Sequence, residues 1–171
     1  MTSCGQCGFV YEELPVDRVS DALRAFGSTY RDALAGVDAE VAVARIEPTV
    51  WSALEYAAHV RDVFLIQRER AVLGRVVERP SLAPMSRDER VELCRYTSQP
   101  LEDVLGQLAM AADLCALVFE GLTPTDWDRE VIYHWPTTSV RDLRWVGRHT
   151  VHEGTHHLGD VRRVLAEAWR T

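Results

Sequence analysis

Neither lysine nor asparagine occurs among the 171 residues, and all 19 basic residues are arginine. The absence of lysine removes ammonium chemistry, so neither a Schiff-base lysine nor a lysine general base is available. Clustered positive charge is missing as well. With a formal net charge of −7, the chain has no basic patch of the kind a polyanion needs, and a nucleic-acid partner is not expected. Apolar runs are short: each is broken by Arg, Glu or Asp well before the roughly 20 residues that a membrane-spanning helix requires. The first residues lack the basic and apolar segments of a secretory signal. These gaps predict a cytoplasmic protein with no membrane partner. Cysteine is sparse, limited to Cys4, Cys7, Cys94 and Cys115; in a cytosolic chain they stay mostly reduced, and disulfides are not expected. Cys94 and Cys115 lie among apolar residues on predicted helices, where a free thiol acts as a small hydrophobe.

With 47% apolar residues, the chain can bury one sizeable core, and a single domain over residues 1–171 is the default, with 1–15 as a cysteine-containing tail. The tail carries Cys4-Gly-Gln-Cys7-Gly. A CxxC of this kind can supply half of a tetrahedral zinc site, but no second CxxC or HxxxH follows nearby in a small module. An inert tail and a thiol pair folded over the main site are the other two readings.

Four long stretches have helical periodicity. The first runs from Asp17 to about Val37 on Val19, Leu23, Phe26, Tyr30 and Leu34. The second, Ser52 to about Leu73, opens on a capping box of Ser52 with Glu55, with Trp51 and Tyr56 placed as a hydrophobic staple. The third starts at Gln99-Pro100 and ends at Gly121, on a seam of Leu101, Val104, Leu108, Ala111, Cys115 and Val118. The fourth is predicted from a second capping box, Ser139 to Asp142, through to about Trp169. Between them, Gly74–Ser98 reads as a loop with a short helix near Arg87–Arg95, suited to covering a site. Leu122–Thr138 has β-type residues that fit a short hairpin or an extended crossover, with His134 a loop histidine that could reach a pocket. The expected fold is all-α, a four-helix bundle with long crossover connections.

The densest chemistry lies in Thr150-Val-His-Glu-Gly-Thr-His-His-Leu-Gly-Asp160, three of the six histidines and two carboxylates within about three helical turns. Residues four apart stack on a helix, so His152 with His156 and Glu153 with His157 compete as ligand pairs. Periodicity separates them. Val146, Thr150, Glu153, His157, Val161, Val164 and Ala168 form the apolar seam, whereas Trp145, His149, His152, His156, Gly159 and Arg163 form a more polar stripe beside it. The inward pair is Glu153 and His157, and a carboxylate and an imidazole on an apolar face call for a cation or hydrogen-bond partners. His152 and His156 then fall in the second shell or on the surface, with His156 the alternative ligand. Asp160, one turn on, is placed to orient a ring or bind a substrate group. On the second helix, His59 lies on the inward line of Tyr56, Val63 and Ile66, where it is either a core histidine satisfied by one hydrogen bond or a third ligand.

Two segments, Trp51-Ser-Ala-Leu-Glu-Tyr-Ala-Ala-His59-Val-Arg-Asp-Val63 and His152-Glu-Gly-Thr-His-His-Leu-Gly-Asp160-Val, resemble the signature segments of the DinB/YfiT-like superfamily, the second in the variant with a carboxylate before the histidine pair. The resemblance implies a four-helix bundle whose divalent metal is held by one residue of helix two and two of helix four. Carried over by position from the mycothiol-dependent maleylpyruvate isomerases of that group, the ligands are His59, Glu153 and His157. It further implies a thiol S-transferase or thiol-assisted isomerase, with mycothiol as cosubstrate and an electrophilic substrate; the missing lysines fit a GC-rich source and hence mycothiol. Zinc suits the donor set best, with nickel, iron or manganese as alternatives. A metal-dependent hydrolase on the same residues, or a non-catalytic bundle binding a metal or small molecule, are the competing readings. Arg61, Arg95 and Arg148 are candidates for recognising acidic groups, and a homodimer through aromatic surface is possible.

Overall fold

In a computed structural model describing residues 3–170, the four periodic stretches are the long helices α1 (Val19–Ala33), α3 (Ala53–Val76), α5 (Leu101–Glu120) and α6 (Leu143–Ala168), with short α2 (Ala39–Val43) and α4 (Arg87–Leu93) in the connections. Helix α1 packs on α5 and α6, and α3 packs on the same two. Successive long helices α1 and α3 therefore sit on opposite corners, as do α5 and α6, and both pairs need a long crossover. This is the expected four-helix bundle. The α1 seam is fully sequestered, with Val19, Leu23 and Tyr30 at 0% exposure; each such apolar side chain contributes roughly 1.5–3 kcal/mol.

The capping box that starts α3 forms in both directions: Ser52 Oγ accepts from Glu55 N–H, and Glu55 Oε2 accepts from Ser52 N–H at 2.7 Å. Arg45 grips the same carboxylate with two further bonds, 2.6 and 2.8 Å. Trp51 and Tyr56 meet at a centroid distance of 5.5 Å, as a staple would require. Helix α3 lies against α2, α4, α5 and α6, so polar residues are buried along it as well as apolar ones. Most are satisfied: Arg61 binds Asp62, Gln99 and Gln107, Asp62 accepts from Tyr96 O–H at 2.7 Å, and Gln67 donates to Tyr133.

The start of the fourth helix differs from the sequence-based expectation. Ser139–Asp142 is a strand, β3, paired antiparallel with β2 (Glu130–Tyr133), and α6 begins at Leu143 with Asp142 as its N-cap, accepting from Trp145 N–H at 2.7 Å. Ser139 and Asp142 cannot form a helical box because ladder pairing holds them extended opposite Tyr133 and Glu130. Val131 and Tyr133 turn inward on alternate positions, as the period of a half-buried strand dictates. A two-residue strand, β1 (Ser81–Leu82), adds in parallel to β2, giving the sheet order β1-β2-β3. This small sheet lies over the C-terminal half of α3 and the first turns of α6, where Tyr133 meets Gln67, Arg70 and Trp145. Cys115 is buried as expected, but Cys94 is exposed, because it caps the short helix α4 on the outside of the bundle. Among the described residues, no helix is long and apolar enough to cross a membrane.

Candidate metal centre

Helices α3 and α6 pack side by side, which brings His59 against the centre of α6. Its ring lies 4.9 Å from that of His157, edge to face, and 5.0 Å from Trp51. One ligand atom each from His59, Glu153 and His157 lie within 4.8 Å of one another, and His157 Nε2 is 3.7 Å from Glu153 Oε2. Zinc bonds of about 2.0–2.2 Å place tetrahedral nitrogen and oxygen donors roughly 3.3–3.6 Å apart. The Glu153–His157 pair therefore stands close to ligand spacing, with a ring nitrogen of His59 within 4.8 Å of both.

Hydrogen bonding supports the fit. Among the described residues, His59 Nδ1 is buried with no hydrogen-bond partner, unlike the other buried polar side chains of α3. An unmatched buried nitrogen is costly unless something absent from the protein chain satisfies it. His157 Nδ1 is bonded to Asp160 Oδ2 at 2.9 Å, which leaves Nε2 free on the side of Glu153 and His59. A carboxylate behind a ligating imidazole is the usual support of a metal site. Asp160 is in turn held by Arg163 at 2.8 Å.

The charge states follow from these contacts. Burial, reinforced by the neighbouring His157, pushes His59 down to about 3, so it is neutral and able to ligate. Burial works against a charged His157, but Asp160 and Glu153 outweigh it and raise the imidazole to about 9. Burial would raise Glu153, yet His152 and His157 hold it well below the usual carboxylate range.

His149 was visible in the sequence only as part of the polar stripe, and its place at this site was missed. It is 3% exposed, its Nδ1 bonds to the Tyr11 hydroxyl at 2.9 Å, and its Nε2 faces Glu153 Oε1 at 3.6 Å. Burial drives it down to about 4. With Glu153 ionised, the favoured tautomer carries its proton on Nε2 and accepts from Tyr11 on Nδ1.

His152 and His156 are not part of the His59 group, and His152 is not on the surface. The residues before α1 cover this stripe: Tyr11, 1% exposed, stacks near Trp145 and His149, and Phe9 and Tyr11 both lie 5.5 Å from the His152 ring. Cys4, Cys7, His152 and His156 gather on that side, with ligand atoms within 4.8 Å of one another.

His59, Glu153 and His157 line one end of a cavity of about 700 Å³. Val63, Ile66, Leu82 and Met85 supply apolar wall, Ser3–Gln6 closes one side, and the connection before α4 covers another. His134 reaches the cavity, held by Ser81 at 2.8 Å and Thr138 at 3.0 Å. The arginines of the wall are Arg70 and Arg87. Arg61 is committed to Asp62 and two glutamines, and Arg148 to the Leu14 carbonyl; neither these two nor Arg95 lines the cavity.

Residues 22–161, most of the chain, match the model of the DinB superfamily. The chain belongs to the DinB superfamily. Among solved structures, this DinB protein is similar to YfiT from Bacillus subtilis, described as "a probable metal-dependent hydrolase with an unusual four-helix bundle topology". The two share a TM-score of 0.79 and 17% identity over 89% of this chain and 86% of YfiT. It is also similar to a mycothiol-dependent maleylpyruvate isomerase, with a TM-score of 0.71 and 15% identity over 90% of this chain. The match covers 63% of the isomerase, so this chain spans less than two thirds of that enzyme. At such identities the likeness shows the fold. No curated protein matches.

Proposed function

We infer that this DinB protein is a metal-dependent enzyme in which His59, Glu153 and His157 hold a divalent cation and a small thiol is activated for attack on an electrophilic carbon. It would act as a thiol S-transferase or a thiol-assisted isomerase, with mycothiol as cosubstrate. The observation that carries the reading is that all three donors line the same cavity. Three protein ligands with the remaining side facing open space is the arrangement of a catalytic site, whereas a structural site closes on four. Zinc suits two imidazoles and a carboxylate best, and nickel, iron or manganese are accepted by the same donors.

A cation held there supplies Lewis acidity, which lowers the pKa of a thiol presented to it and makes a thiolate available at neutral pH. The protein's own residues prepare the rest. Asp160 fixes the His157 tautomer so that Nε2 points to the site, and His149, steadied by Tyr11, faces the second oxygen of Glu153. The wall of Val63, Ile66, Leu82 and Met85 keeps bulk water from the sulfur. Arg87 on the cavity wall offers a fork for a carboxylate of thiol or substrate. Sulfur then bonds to the acceptor carbon; in a transfer the leaving group departs with its electron pair, and in an isomerisation the same carbon–sulfur bond later breaks.

The likeness to YfiT favours a second reading, hydrolysis, in which water takes the place of the thiol with the same residues around it. Incubation of the zinc-loaded protein with a bimane or epoxide electrophile, with and without mycothiol, separates the two. Thiol-dependent conjugation abolished in His59→Ala supports the transferase. Conjugation unaffected by the protein across several thiols and electrophiles would overturn it.

A further inference from the structure

We propose that Cys4, Cys7, His152 and His156 form a second divalent-metal site, a closed tetrahedral one of the zinc class, which fastens the first residues of the chain over the cavity. The two halves lie some 145 residues apart in sequence, each with zinc-ligand spacing: CxxC at Cys4 and Cys7, and HxxxH at His152 and His156. The fold brings them together, with one ligand atom from each of the four within 4.8 Å of the others.

Geometry agrees in detail. Zn–S bonds of about 2.3 Å and Zn–N bonds of about 2.0–2.1 Å at a tetrahedral angle separate sulfur and nitrogen by roughly 3.5–3.6 Å. Cys4 Sγ lies 3.7 Å from His156 Nδ1. His152 is 6% exposed, and neither ring nitrogen makes a full hydrogen bond: Nδ1 faces Glu153 Oε1 at 3.4 Å, and Nε2 is buried without a partner. A buried Nε2 with no partner is costly unless something beyond the chain satisfies it. On the far side of His156, Nε2 faces Asp160 Oδ2 at 3.7 Å, so the same carboxylate that backs His157 stands behind this ring.

The cysteine loop is a tight turn that holds both sulfurs close together. Cys4 N–H donates to Phe9 C=O at 2.8 Å and Gly8 N–H to Cys4 C=O at 2.9 Å, closing a tight knuckle. Gly8 turns it at φ +74°, a conformation that favours glycine.

Four protein ligands leave no open position, so this ion holds structure and does no chemistry. Its role follows from the residues it ties down. Ser3–Gln6 forms part of the cavity wall, so with the ion in place that wall is fixed, whereas without it the segment keeps its own backbone bonds, the packing of Phe9 and Tyr11 and the Tyr11–His149 bond. The site shares no ligand with the His59 group, and each can be tested in the absence of the other.

The test is metal counting and cobalt spectroscopy on tag-free, full-length protein. Zinc-reconstituted wild type should hold two equivalents, Cys4→Ser/Cys7→Ser one, and His59→Ala one. On cobalt substitution, thiolate-to-metal charge transfer should appear in wild type and in His59→Ala and vanish in the double serine variant. A measurement on wild type alone guards against a misfolded variant. Zinc should slow alkylation of Cys4 and Cys7 by about tenfold or more, because only a free thiolate reacts, while the exposed Cys94 labels at one rate throughout. Absence of the charge-transfer band in wild type, equal zinc content in wild type and the double serine variant, or equal labelling with and without zinc each overturns the proposal.

Discussion

Asp160 Oδ2 lies 2.9 Å from His157 Nδ1, three residues along the same helix. Contact with His157 and Arg163 holds Asp160 below the usual carboxylate range despite its burial, so it accepts the bond and His157 donates from Nδ1. Replacing Asp160 with Asn weakens the acceptor and frees the ring to turn. Affinity for the metal should fall by about 10–100-fold, the usual cost of losing such a support, with the folded state little changed. Competition with a chromophoric chelator measures it, and unchanged affinity would remove Asp160 from the site.

Glu55 provides a prediction about acid stability. Burial raises its pKa, but Arg45 and the Ser52 N–H lower it further, for a net shift below the ordinary 4.5. A carboxyl with a depressed folded pKa contributes stability that is present above its unfolded pKa and lost as pH falls through the folded one. Wild type should therefore lose stability below about pH 4.5, and Glu55→Gln should show a flatter acid limb. At neutral pH, Glu55→Ala should cost about 1–2 kcal/mol, since it removes the Glu55 half of the capping box while the exposed Arg45 regains water. Urea titrations across pH measure both.

Gly154 lies between Glu153 and His157, the two proposed ligands of α6. A Cβ there would lie 2.6 Å from the Phe26 ring, and its carbonyl accepts from Tyr30 O–H at 2.9 Å. Gly154→Ala should push α1 away from α6 and cost about 1–3 kcal/mol. Thermal melts of the apo protein test it, and an unchanged melting temperature would show that Phe26 yields without strain.

Arg87 is expected to bind and not to react. In a conjugation assay with mycothiol, Arg87→Ala should raise KM by about tenfold, the value of one hydrogen bond to a charged group, with kcat little altered. An equal fall in kcat at unchanged KM would contradict a binding role.

Much of this was legible in the sequence, and the reasons are local. The α1 seam, the Ser52–Glu55 box and the division of α6 into two stripes all depend on residues within a turn or two of each other. Ser139–Asp142 fits a helical capping pattern and a short strand equally well in sequence, and pairing with β2 decides for the strand. The cysteine motif showed only its own half, and its complement, His152 and His156, was read as second-shell or surface. Their burial depends on Phe9 and Tyr11 crossing α6, a contact between distant residues that helical periodicity does not contain. The spacing of CxxC and HxxxH was the one signal that could have joined them.

Helix α6 runs unbroken from Leu143 to Ala168, with the stretch from His149 to Asp160 in its interior and roughly two turns of helix on either side. Helix ends fray and interiors do not, so the amides of this stretch should be among the last to exchange hydrogen with solvent. The opposite wall is built from the first residues and from the largely exposed 77–86 connection, where Arg79 and Ser86 adopt positive φ. With the first residues fastened, small molecules and ions would come and go past the 77–86 connection. In hydrogen-exchange terms the cavity lies between a slow face, which carries Glu153 and His157, and a fast one.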